Sequence, residues 1–344
     1  MARMLRGLVI VAAVVVALQC CELPRRTDGR CVLFNFGDSN SDTGSLPAAY
    51  GFYLGPPAGR RFFNRTTGRW SDGRLYIDFI DTYLALGIRY LSPYLESSGS
   101  NFTDGVNFAV AGAAAASNQS AIPFTMATQV NQFLHFKNRT RELRPLGQGS
   151  MLPEEDFRGG VYSIDVGQND ITLAFLANLT LPEIVAVGGP LAAAAAKVEE
   201  AVRALYGSGA RKFWVYNTGP IGCLPQTLAL RQRPGDELDP AGCLARYNAA
   251  ARALNTGLAA ACRRLTDEYC GSATVVCTDM YAPPYNYVNL KTCGQPTATA
   301  CLEGERHVSW DGVHYTEDAN AIVASKILSG DFSQPRTKLQ ALCK

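Results

Sequence analysis

The sequence is poor in histidine, in net charge and in long apolar runs. Only three histidines occur in 344 residues, His135, His307 and His314. Any chemistry that needs an imidazole must use one of them. Lys plus Arg number 32 and Asp plus Glu 30, which leaves a net charge of +2. That balance lacks the electrostatic footprint of a nucleic-acid binder and gives no attraction to an anionic membrane. No C-x-x-C spacing occurs, and three histidines supply no zinc-finger pattern, so no metal site and no cofactor are expected. The G-x-S-x-G elbow is absent too, which argues against the fold built around it. There is no repeat, low-complexity linker or charge block to mark a second domain. With 47% hydrophobic and 18% charged residues, the chain can bury a sizeable core.

What is present begins at the N-terminus. Arg3 and Arg6 precede an apolar run from Leu8 to Leu18. About eleven residues at 1.5 Å each cannot cross roughly 30 Å of hydrocarbon. A positive start and a short apolar stretch read as a secretory signal over residues 1–21. Leu18, Gln19, Cys20 and Cys21 offer no A-x-A cleavage site, so an uncleaved anchor is the alternative. No later run reads as long and apolar enough to span; the Ala-rich stretch from Ala192 meets Lys197, Glu199 and Glu200 and reads as a helix.

Two other features agree with export. N-x-S/T sequons stand at Asn64, Asn101, Asn118, Asn138 and Asn178. Nine cysteines follow residue 21, and an oxidising compartment would pair most of them. Nine is odd, so one should be left over. Close pairs in loop-like sequence are the best guesses: Cys223 with Cys243, and Cys293 with Cys301.

Short β-rich runs alternate with helical patterns. Strands are expected over 31–36, 105–110, 160–166, 212–217 and 273–277. Helices are expected over 75–86, 125–137, 182–206, 243–269 and 317–328. Alternation of this kind implies parallel βαβ units. The fold class is therefore α/β, a three-layer α/β/α sandwich around a mainly parallel five-stranded sheet, as one domain over residues 31–340. Gly, Asn, Asp and Ser cluster just after the first four strands, at 37–44, 111–113, 167–170 and 218–220. In an open parallel sheet those ends share one edge, where ligands bind.

The chemistry follows from that edge. Ser39 lies in a Gly-Asp-Ser turn after the first strand. A serine hydroxyl needs a base to become a nucleophile, and the base is usually a histidine oriented by an acid. Asp311 stands three residues before His314, across Gly312, and can fold back onto Nδ1. His307 has no acid at that spacing, and His135 sits in a helical pattern among Phe133, Leu134 and Phe136. Donors for an oxyanion would be the backbone N–H of Ser39, the backbone N–H of Gly112 and the side-chain amide of Asn169. Each motif alone has a plainer reading as a turn, a packing glycine, a helix cap or a structural pair. Their order along successive strand ends favours the chemical reading.

Those motifs resemble the plant branch of the GDSL esterase/lipase family, within the SGNH hydrolase group. The resemblance covers nearly the whole chain after Cys31. It runs through residues 36–44 with Ser39, 107–113 with Gly112, 167–170 with Asn169 and 310–316 with Asp311 and His314. Residues 69–74, 219–225 and 242–243 are similar to plant members as well. The main departure is length: the chain is somewhat short, with a compact Ala- and Gly-rich stretch over 181–209. The resemblance implies a flavodoxin-like order of strands and a serine esterase with Ser39, His314 and Asp311 as the triad. The Tyr50–Gly51 loop and residues 310–314 resemble the subgroup with cell-wall and glycoside acetylesterases. This implies an O-acetyl esterase acting on a glycan such as acetylated xylan, or on a small glycoside. Trp70, Tyr281, Tyr285, Tyr287 and Trp310 could offer flat faces to sugar rings. A long-chain acyl esterase and an inactive secreted glycan-binding protein are the competing readings. The implied protein is a monomer with no nucleic-acid partner and no stable membrane partner unless residues 1–21 are retained. Its place is the secretory pathway, extracellular or in the cell wall, with the Golgi lumen as the alternative.

Overall fold

A computed structural model of the chain describes residues 31–83, 90–116, 122–147, 151–281 and 307–343. The expected signal segment, Asn118 and the Cys293–Cys301 pair lie outside the described residues. Five of the strands form where β-rich runs occur: β1 (Leu33–Gly37), β2 (Gly105–Asn107), β3 (Val161–Asp165), β4 (Lys212–Tyr216) and β5 (Thr274–Thr278). A sixth, β6 (Ser333–Gln334), was not expected. Two residues carry no periodic pattern, and β6 exists only through its antiparallel pairing with Cys277 and Thr278. The sheet order is β2–β1–β3–β4–β5–β6, and every pair but the last is parallel.

The helices are α1 (Ser45–Tyr50), α2 (Tyr76–Tyr83), α3 (Met126–Leu143), α4 (Glu154–Gly159), α5 (Gln168–Leu176), α6 (Leu181–Val185), α7 (Pro190–Gly207), α8 (Pro225–Arg231), α9 (Ala245–Glu268), α10 (Glu317–Ser329) and α11 (Leu339–Leu342). The single helix expected over 182–206 is in fact α6 and α7. Gly188 takes a left-handed φ of 76° between them, and Pro190 opens α7. The stretch Leu181–Gly207 is long and apolar enough to cross a membrane by length and composition, contrary to the sequence reading. In the fold, however, α7 buries Leu191, Ala194, Val198, Val202 and Leu205 in the core.

Strand residues alternate between two cores, which is why both faces of the sheet are covered. Phe34, Phe36, Tyr162, Ile164, Phe213 and Val215 join the core under α3, α7 and α9. Leu33, Val161, Trp214, Tyr216 and Val276 join the other core, with Tyr76, Ile80, Val323 and Ile327 from α2 and α10. The three layers match the expected sandwich. Disulfides link Cys31 to Cys343, Cys223 to Cys243 and Cys262 to Cys277. The second was expected. Of the other two, Cys31 and Cys343 stand 312 residues apart and meet only in the fold, and Cys262 joins α9 to Cys277 of β5 rather than closing a loop. Cys270 is exposed and free.

Candidate active site

The chain changes direction in the sheet between β1 and β3, and the crevice beyond their carboxyl ends is where open α/β sheets hold ligands. Ser39 follows β1 in that crevice and is 5% exposed. Its turn is held on several sides. Gln129 of α3 accepts the Gly37 N–H at 2.9 Å and donates to the Gly37 carbonyl at 2.8 Å. A Cβ on Gly37 would stand 2.4 Å from the Asp165 carbonyl oxygen, so no larger residue fits. Asp42 accepts the N–H groups of Gly44, Ser45 and Leu46 at the start of α1, and that of Ala111 at 2.7 Å.

Beneath the turn runs a polar row across three strands. Asn35, Asn107 and Ser163 are register partners on β1, β2 and β3. Asn107 donates to the Ser41 carbonyl at 2.6 Å and to Thr43 Oγ1 at 3.0 Å. Asn35 donates to Ser41 Oγ at 2.9 Å and to Asn107 Oδ1 at 2.9 Å, and accepts from Ser163 at 2.7 Å. Sequence reasoning missed this row. The signal was there, because a polar residue within an otherwise apolar run needs a partner.

Gly112 has a φ of 79°, and Ile122 covers it: an added Cβ would meet Ile122 Cγ1 at 2.8 Å. Asn169 stands at the start of α5. Its amide donates to the Ala113 carbonyl at 2.8 Å, with a longer contact of 3.3 Å to Asp38 Oδ2. The fold thus brings Asn169 beside the Gly112 loop and the residue preceding Ser39. Asp170 does not cap its own helix. It accepts the N–H groups of Ala115 and Ala116 at 2.7 and 2.9 Å and fixes that loop.

Asp311 and His314 form the expected pair. His314 Nδ1 lies 2.5 Å from Asp311 Oδ2, while Oδ1 accepts the N–H groups of Val313 at 3.0 Å and His314 at 2.8 Å. The Trp310 N–H bonds the His314 carbonyl at 2.7 Å and closes the turn. Burial alone would push the Asp311 carboxyl up, but the His314 charge and these hydrogen bonds hold it below the ordinary carboxylate value. Val313 and Tyr315, on either side of His314, line a small cavity of about 30 Å³ together with Asn40 and Gln168. The histidine segment therefore faces the residues next to Ser39 and Asn169. Trp70 packs beside the imidazole, ring centroids 5.6 Å apart. His135 is exposed on α3, and the His307 carbonyl accepts the Thr316 hydroxyl.

Two buried acids flank the centre. Asp165, at the end of β3, accepts the Tyr76 hydroxyl at 2.9 Å. Burial raises its carboxyl to about 6, against the lowering effect of that hydrogen bond. Asp38 is pushed well above the ordinary value, by burial first and by the Asp165 charge second. Behind the turn, Arg69 holds Asp78 through two hydrogen bonds of 2.8 and 2.7 Å and reaches the Thr43 carbonyl at 3.3 Å. Of the sequons, Asn64, Asn101, Asn138 and Asn178 are all exposed.

The family described as GDSL-like Lipase/Acylhydrolase matches residues 33–327. The GDSL esterase/lipase At1g09390 of Arabidopsis thaliana is 44% identical, over 94% of this chain and 91% of its own. A protein named Esterase from Hevea brasiliensis is 37% identical over 95% of this chain and 90% of its own. Alpha-L-fucosidase 3 of Arabidopsis thaliana is 36% identical over 87% and 90%. With a crevice at the switch point and a half-buried Asp–His pair facing it, the chain belongs to the GDSL lipase/acylhydrolase family and is a carboxylic ester hydrolase.

Proposed function

We propose that Ser39, His314 and Asp311 form the catalytic triad of an O-acetyl esterase acting on a glycan, with acetylated xylan as the test case. The Asp311–His314 hydrogen bond carries this reading. It fixes the proton on Nδ1 and leaves Nε2 as the base. Nε2 takes the proton of Ser39 Oγ as the oxygen bonds to the ester carbon. The negative charge on the carbonyl oxygen is met by the N–H groups of Ser39 and Gly112 and by the Asn169 amide. Asn169 keeps its Ala113 bond and gives up the 3.3 Å contact with Asp38. The C–O bond then breaks and the alcohol leaves with the proton from His314. Water attacks the acyl-enzyme through the same base, releasing acetate and restoring Ser39.

The glycan is supported by the aromatic setting of His314. Trp310 closes the His314 turn through its N–H on the His314 carbonyl, and Arg60 lies over its indole ring at 5.6 Å. The near-neutral charge suits an uncharged polysaccharide, and one relative carries a glycosidase name. Three disulfides and four exposed sequons support a glycosylated protein of the secretory pathway, outside the cell or in the wall. No cofactor and no protein partner is required. Acetate release from acetylated xylan, compared with fatty-acid release from a long-chain ester and with a Ser39→Ala control, tests the proposal. Release of fatty acid alone would assign a lipase. Failure of a fluorophosphonate probe to label the protein would leave a glycan-binding protein without catalysis.

A further inference from the structure

The two sides of the reaction centre differ in chemistry. On the β2 side, Leu46, Val110 and Ala111 form a small apolar cluster, with Trp70, Ile122 and Phe124 packed against it. Trp70 ends this wall at the His314 ring, and Ile122 ends it over Gly112. Both side chains are only half-buried, so the wall has an accessible face. Trp70 Nε1 is buried with no hydrogen-bond partner among the described residues, and packing sets the ring. On the side of β3 and β4 hydrogen-bonding side chains stand among apolar ones such as Ile221, Leu224 and Met280. Asn40, Asp165, Gln168, Asn217 and Thr218 line the cavity beside Val313 and Tyr315.

We infer that the two sides divide the ester between them. The acyl group packs against the wall from Trp70 to Ile122, and the hydroxyl-bearing alcohol lies along the polar side. An acyl carbon chain gains by leaving water for apolar surface, whereas a sugar needs hydrogen-bond partners for every hydroxyl it desolvates. Trp70 and Ile122 then set acyl length, because an acetyl methyl fits beside them and a longer chain meets the indole. Gln168 contributes to the alcohol side.

This inference rests on the esterase reading with Ser39 as nucleophile, and the experiment separates the two. Trp70→Ala and Ile122→Ala are assayed with p-nitrophenyl acetate, butyrate and octanoate, and with acetylated xylobiose. Each truncation should raise the octanoate-to-acetate ratio of kcat/KM by about tenfold, the scale set by a few methylenes in an apolar site. Trp70→Phe should keep the ratio near wild type. Gln168→Ala should lower kcat/KM for acetylated xylobiose by about tenfold relative to p-nitrophenyl acetate, as expected when a hydroxyl loses its partner. Variants that react with a fluorophosphonate yet keep the wild-type acyl ratio would overturn the division of sides. So would truncations of the wall that change the sugar preference instead. Wild-type protein that fails to react with the probe would overturn the esterase reading itself.

Discussion

Gln129 grips Gly37 by both of its backbone polar groups, from a helix 92 residues further along the chain. Gly37 is two residues before Ser39, so α3 sets the height of the proposed nucleophile's turn. Gln129→Ala leaves the buried Gly37 N–H without its acceptor, while the Gly37 carbonyl keeps the Val110 N–H at 3.1 Å. Such a stranded group costs about 1–3 kcal/mol. Denaturant unfolding should show a loss of that order, and kcat should fall with it. A variant with full stability and full kcat would show that the grip does not position the turn.

The roles assigned to the triad lead to an ordered loss of rate. Ser39→Ala and His314→Ala should each lower kcat by about 10³-fold or more, and the double variant should be little worse. Asp311→Asn should also be impaired, since the imidazole loses the acceptor that fixes its tautomer. His307→Ala should stay near wild type. Steady-state kinetics on p-nitrophenyl acetate decide the matter, and loss of rate in His307→Ala alone would move the base there.

Asp165 makes stability depend on pH. Folding raises its carboxyl to about 6 from an unfolded value near ~3.9. The native state therefore holds the proton more tightly than the unfolded chain between those values. The resulting stabilisation is complete below the unfolded value and is lost as pH rises through about 6. Asp165→Asn should flatten that part of the curve. Denaturant midpoints for both proteins across pH 4–7 would measure it, and parallel curves would refute the assignment.

Arg69 and Asp78 test a buried ion pair. The pair is almost without solvent, at 7% and 0% side-chain exposure. Asp78 also accepts the Leu75 N–H at 2.8 Å. Removing one partner strands the other charge, at about 3–5 kcal/mol. Arg69→Ala should lower the unfolding midpoint strongly. Arg69→Lys should restore only part of it, because an ammonium cannot copy the two-pronged geometry.

Much of this arrangement was legible in the sequence, for identifiable reasons. Strands and helices with strong periodicity appeared near the expected positions, and Asp311–His314 was readable because its members stand only three positions apart. Residues that act across distance were not. Asn107 and Gln129 hold the Ser39 turn from segments that meet it only in the folded sheet, and Asp42 within the turn takes the distant Ala111 N–H. Asp170 could be taken for a cap because its partners, Ala115 and Ala116, lie more than fifty residues earlier. The break between α6 and α7 was written in Gly188, Gly189 and Pro190, but alanine-rich flanks masked it.

The bond between Cys31 and Cys343 turns the described chain into a covalent ring. A single cut by a protease in any exposed loop between them would open that ring without releasing a piece. Nicked protein would run as one band until a reductant is added, and only then as two fragments. A gel without reductant would therefore report an intact molecule whether or not its backbone is continuous.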